Sequence, residues 1–179
     1  MCEAVWSLLK YCRTFVDDAA NTRVEAMRIA LGSDHAGYDL KGVLASTLRD
    51  WGHDVIDLGT DSASVSVDYP DFAAAVGHAV VSGDAELGVA ICGTGIGVSI
   101  AANKVSGVRA AVVHDVTTAH LAREHNHANV VCFGARITGA VVAIDALDAW
   151  LKATPSPGRH VQRIAKIDAL DERLAKDER

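Results

Sequence analysis

The sequence predicts an α/β fold, a three-layer Rossmann-like sandwich with a five-stranded parallel sheet and helices on both faces. Three observations predict it. Five short apolar runs recur along the chain, and each is followed by a segment with helical spacing, the alternation expected of parallel strands buried on both faces. Hydrophobic residues make up 50% of the chain but aromatics only 5%, so the core must be built from Ala, Val, Ile and Leu. Fifteen glycines against three prolines suit tight turns from strand into helix better than a disordered chain.

Taken in order, residues 1–26 stand apart. Val5, Leu8, Leu9, Cys12, Phe15 and Val16 fall at helical spacing, which predicts a short amphipathic helix as an N-terminal extension. A domain over 27–179 then opens with a strand at 29–32 and a helix over 38–51. A second strand at 55–58 leads to a helix over 69–81, with Asp68 before it and Pro70 in its first turn. The third strand, 87–91, runs into Cys92-Gly93-Thr94-Gly95-Ile96-Gly97 and a helix ending near Lys104. Strands at 109–113 and 130–133 precede helices over 116–124 and 138–151. Beyond Pro155 and Pro157 a charged helix occupies 158–176.

Composition narrows the function. A net charge of −6 gives no support for a nucleic-acid or anionic-membrane partner. The cysteines Cys2, Cys12, Cys92 and Cys132 lack CxxC spacing, so neither a zinc site nor a disulfide framework is indicated, and a reducing, cytoplasmic setting is expected. No apolar run reaches the ~18 residues of a membrane-spanning helix.

In such a fold ligands bind where strands end, so the residues after each strand carry the candidates. Gly93, Gly95 and Gly97 let the loop backbone approach a ligand and turn several N–H groups toward an anion or an enediolate oxygen. The loop is neither a Walker loop nor a dinucleotide fingerprint. Cys92 stands where those N–H groups can stabilise a thiolate, as base or nucleophile; the bland alternative is an inert thiol in a tight turn. Cys132, inside an apolar strand, reads as core. Asp34 and His35 follow the first strand, where they can meet sugar hydroxyls or a phosphate, or simply cap a helix. His125 and Asn126 close a helix. Arg159 and Arg163 lie one helical turn apart and can grip one phosphate, or begin a solvated basic helix.

Several motifs in this order carry a resemblance. Gly32-Ser33-Asp34-His35-Ala36-Gly37, Asp68-Tyr69-Pro70, the Cys92 loop running into Ala101-Ala102-Asn103-Lys104, Arg123-Glu124-His125-Asn126, Gly134-Ala135-Arg136 and Gly158-Arg159-His160 resemble the ribose-5-phosphate isomerase B family from Met27 to about residue 175. The same superfamily includes galactose- and allose-6-phosphate isomerases.

The resemblance implies aldose–ketose isomerisation of a sugar phosphate through a cis-enediolate, with no metal or cofactor. It implies Cys92 as the base and Thr94 with the loop N–H groups as the enediolate's donors. His125 with Asp34 would open the furanose ring, and Asn126 would hold sugar or loop oxygens. His35, Arg136, Arg159 and Arg163 would bind phosphate, and Tyr69 would wall the sugar pocket. Family members that lack the cysteine use a glutamate further along the loop; Val98 stands there in this chain, which places it with the cysteine-base group. The resemblance also implies a homodimer or homotetramer with shared active sites and a C-terminal helix across the interface. The pentose phosphate is the expected substrate, with a hexose 6-phosphate as the alternative. Two other classes compete: a non-catalytic sugar-phosphate sensor, which would not need Cys92, and a thiol-nucleophile hydrolase, which would need a histidine aimed at it.

Overall fold

The computed structural model describes residues 25–177. Its elements are β1 (Arg28–Ser33), α1 (Tyr38–Asp50), β2 (Asp54–Asp57), α2 (Tyr69–Ser82), β3 (Leu87–Cys92), α3 (Ile96–Ala102), β4 (Ala110–Val112), α4 (Val116–Asn126), β5 (Val130–Gly134), α5 (Ala140–Lys152) and α6 (Arg159–Asp177). A single 3-10 turn, His35–Gly37, joins β1 to α1. The amphipathic helix expected over 5–16 lies outside the described residues. Among the described residues no helix is long and apolar enough to cross a membrane.

Local chemistry sets the helix ends. Pro70 sits in the first turn of α2, and Gly83 ends that helix at φ 83°. Asp68 holds the N-cap position without making the side-chain bond expected there. Asp115 makes a full capping box with Thr118 at the start of α4.

All five strands are parallel, in the order β2-β1-β3-β5-β4. From β1 the chain steps outward to β2, then returns to place β3 on the other side of β1. A crevice therefore opens between the carboxyl ends of β1 and β3, the place where open α/β sheets take ligands.

The two faces are packed differently. On one, Leu44 and Leu48 of α1 and Leu147 and Trp150 of α5 lie over Ile29, Leu31, Val89, Ile91 and Phe133. Trp150 is wholly buried, and its truncation to Ala would cost about 3–5 kcal/mol. On the other face, α2 and α3 press Val76 and Val98 onto Ala30, Ala90, Val130 and Cys132. Those small residues bring the helices close: a side-chain carbon on Gly88 would lie 2.6 Å from Val76.

Helix α6 rests on the outside of its own chain. Ile164 is its buried apolar anchor, Asp168 pairs with Arg109 at 3.1 Å, and Asp171 accepts from Gly107 N–H at 2.9 Å. Val161, Ile167 and Leu170 remain exposed.

Candidate active site

The expected site residues fall into two groups at opposite ends of the sheet. At the carboxyl edge, Ser33 pairs with Ile91 and Cys92 with Gly134, so Asp34, Cys92 and Gly134 stand level across three adjacent strands. Backbone bonds lock that level: Asp34 N–H to Ile91 O at 3.3 Å, Ala135 N–H to Cys92 O at 2.8 Å, and Arg136 N–H to Gly93 O at 3.0 Å.

Cys92 is 5% exposed and looks into the crevice from the α2–α3 face. Its Sγ accepts the Gly95 N–H at 3.2 Å. Gly95 reaches that position at φ 79°, a backbone shape that suits glycine and few other residues. Thr94 is exposed, and its Oγ1 accepts from Ile96 N–H at 3.4 Å, which leaves its own O–H free to donate to a ligand. Helix α3 behind the loop has only seven residues, so the anion-binding capacity resides in the loop N–H groups. Cys132, on the neighbouring strand, is fully buried as expected of a core residue; burial pushes its thiol up, and Cys92 beside it adds to the effect.

Three more residues meet at this edge. The Tyr69 ring packs on Gly97, where an added side-chain carbon would lie 2.7 Å from it. Arg136 lies over Gly93, its Nε 3.6 Å from the position such a carbon would take there. Arg136, in the turn just past β5, thus sets a cation over the cysteine loop. Asp34 caps the 3-10 turn through Gly37 N–H at 3.0 Å and is buried, so the capping role read as its bland alternative is filled. His35 accepts from Val67 N–H at 3.3 Å.

The second group lies at the amino edge. Helix α4 starts beyond the carboxyl end of β4 and runs back about 16 Å, so His125 and Asn126 at its end stand beside the start of β5. His125 stacks on His160 of α6, centroids 4.3 Å apart and planes 8° from parallel. Arg159 and Arg163 are exposed on the same helix start. The segment before α6 is seated on Glu124, whose carboxylate accepts from Ser156 Oγ at 3.0 Å and faces His120 at 3.2 Å and His125 at 3.7 Å. These bonds, with the nearby histidines, hold the Glu124 carboxyl below the usual carboxylate range, the Ser156 bond most of all. The His160 imidazole is held below its usual value by desolvation first, then by the charges of His125, Arg159 and Arg163. Asn126 lines an apolar groove of about 280 Å³ with Asn103, Arg109, Ala111 and Ile167. Within one chain, then, His125, Asn126, Arg159 and Arg163 are separated from Cys92 by the length of β5. The sequence reading set His125 with Asp34, and Arg159 and Arg163 with His35 and Arg136; within one chain the members of each set stand at different ends of the sheet.

Residues 29–167 match the family described as Ribose/Galactose Isomerase. The chain belongs to that family. Ribose-5-phosphate isomerase B of Escherichia coli is 46% identical over 146 residues, covering 82% of this chain and 97% of that one. A galactose-6-phosphate isomerase subunit of Clostridium acetobutylicum is also 46% identical, over 82% of this chain and 84% of its own length. Among solved structures, ribose-5-phosphate isomerase B of Clostridium thermocellum superposes with a TM-score of 0.81 at 49% identity, over 83% and 99% of the two chains. The Mycoplasma genitalium enzyme, solved with bound ribulose 5-phosphate, gives 0.78 at 43% identity over 81% and 96%. This member of the ribose/galactose isomerase family is a sugar-phosphate isomerase, with the cysteine loop at the crevice of its sheet.

Proposed function

We propose that the chain interconverts D-ribose 5-phosphate and D-ribulose 5-phosphate. The observation that carries the reading is Cys92 Sγ at the crevice, with a loop N–H on it, Thr94 beside it and Arg136 over the same loop. A Cys92 thiolate takes the proton from C2 of the open-chain aldose while the C1 carbonyl becomes the enediolate oxygen. The Thr94 hydroxyl and loop N–H groups of Gly93 to Gly97 hold that oxygen. The proton then returns to C1, and the C2 hydroxyl proton passes to the C1 oxygen, leaving the carbonyl at C2 and a hydroxyl at C1 of the ketose. Tyr69 walls the sugar chain. His35 and Arg136 bind phosphate, and this remote grip positions the reacting carbons.

The remaining groups come from a second copy. In a dimer, or in a tetramer made of such dimers, the amino edge of one chain faces the carboxyl edge of the other. His125 then meets Asp34 to assist ring opening, Asn126 holds sugar oxygens, and Arg159 and Arg163 complete the phosphate site, carried by α6 across the interface. Residues 27–179 form the isomerase domain. Having Cys92, His125 and both arginines in one chain favours the pentose phosphate, because galactose-type enzymes divide such residues between different subunits.

The test is turnover of ribose 5-phosphate by the EDTA-treated protein beside Cys92→Ala. The expected result is activity that survives EDTA and falls by at least about a thousandfold in the variant, while ribose 5-phosphate still binds. A variant within tenfold of the parent ends Cys92's role as base. Turnover of galactose or allose 6-phosphate without ribose 5-phosphate moves the substrate to a hexose.

A further inference from the structure

Lys41 stands in the first turn of α1 among core leucines and is only 5% exposed. The proton transfer has no use for it. Its ammonium donates to both Asp57 carboxylate oxygens, at 2.7 and 2.9 Å, and to Thr60 C=O at 2.9 Å, and it lies 5.5 Å from the centre of the Tyr38 ring. Its stem presses on Gly59, where a side-chain carbon would come within 2.7 Å of Lys41 Cδ. An ion pair with one partner buried and the other half-exposed adds little net stability, so its service is the geometry it fixes.

What it fixes is the loop from Leu58 to Asp68. Asp57 ends β2 and also accepts from Gly59 N–H at 3.0 Å; Thr60 N–H donates to Ser33 O at 3.0 Å. The loop's beginning is thereby stitched to the end of β1, one residue before Asp34. Its far end returns to the same place, where Val67 N–H donates to His35 Nδ1 at 3.3 Å. A ring nitrogen that accepts carries no proton, so the proton of the neutral ring sits on Nε2.

We propose that Lys41 is a positioning residue: by clamping the 58–68 loop it holds the Val67 N–H on His35 Nδ1, so that His35 offers Nε2–H to the substrate's phosphate. This rests on the reading of His35 as a phosphate ligand. The gain is a donor of fixed direction that needs no protonation to bind an anion.

The experiment uses Lys41→Met, which keeps the length and apolar stem. Asp57, with 39% of its side chain exposed, can stay hydrated when the lysine is gone, so the variant should fold. Two-bond proton–nitrogen spectra of histidine-labelled protein read each ring's tautomer, with His35→Gln assigning the signal. The expected result is His35 as Nε2–H in the parent and a mixture of tautomers in Lys41→Met. KM for ribose 5-phosphate should rise about tenfold with kcat within about twofold, the loss of one hydrogen bond to a charged group. A parent ring protonated on Nδ1, or a folded variant with the tautomer unchanged, overturns the proposal. A changed tautomer with unchanged KM overturns its phosphate half and removes His35 from the site, while Cys92-dependent turnover is untouched. If Lys41→Met does not fold, Val67→Pro, which removes the N–H on Nδ1, must give the same tautomer change.

Discussion

At the strand end beside Cys92, Gly134 sits against Thr94 with no room for a side chain. An added carbon would lie 2.5 Å from Thr94 C and 2.6 Å from Thr94 O, and both are backbone atoms that cannot swing aside. Gly134→Ala must therefore push the cysteine loop away from β5. Thr94 and the loop N–H groups move with it, and misplacement of such donors by an ångström costs on the order of 10²-fold in rate. The expected outcome is a folded protein whose kcat for the sugar phosphate falls by roughly that factor, with a modest change in KM. Steady-state kinetics together with a melting curve decide it, and kcat within twofold of the parent would show that the loop does not act as the enediolate's donor.

Element by element, the strands and helices were legible because apolar runs alternate with segments of helical spacing, with Pro70 marking the first turn of α2. The strand order was not legible, because nothing in a run such as Val130–Gly134 says that it slips between β3 and β4. Asp34, Cys92 and Gly134 could be grouped from sequence since each ends a strand. Lys41 could not, because one lysine between Leu40 and Leu44 reads as the solvent face of a helix until the carboxylate of β2 is seen beside it. The seat of α6 on α4 likewise depends on Glu124, His160 and Ser156, distant in sequence and unremarkable singly. That seat carries a pH dependence of definite sign. The folded His160 is held below its ordinary 6.5, so docking is complete above that value and weakens as the unfolded form begins to take up protons below it. Glu124 is also held low, so its contribution is present above the ordinary carboxylate value and lost as pH falls through its folded one. Both shifts loosen the seat on acidification, His160 first. Once the intrinsic slowing of amide exchange at lower pH is divided out, protection of residues 153–163 should fall between pH 7 and 5.5 while that of β3 does not; equal protection at the two values would sink this reading.

For the whole molecule, the separation of the two groups by the length of β5 turns the proposed shared site into a counting argument. If each site takes Cys92 from one chain and His125 from another, Cys92→Ala and His125→Ala proteins are each inactive, since every site carries one lesion. In a mixed dimer the lesions segregate: one site holds both, and the other holds neither. Random reassortment places half the chains in mixed dimers, and half of their sites are intact, so activity should return to about a quarter of the parent's. Denaturing the two variants together, refolding them and assaying ribose 5-phosphate turnover gives the measurement, with each variant refolded alone as the control. A site built within one chain predicts no recovery at any mixing ratio. Tetramers made of such dimers give the same quarter, so the result reports on the shared site independently of the final assembly. The exposed Val161, Ile167 and Leu170 of α6 supply the apolar face such an interface would cover. Adding Leu170→Glu to both variants should therefore reduce the recovery, because a charge on that face opposes the pairing on which each intact site depends.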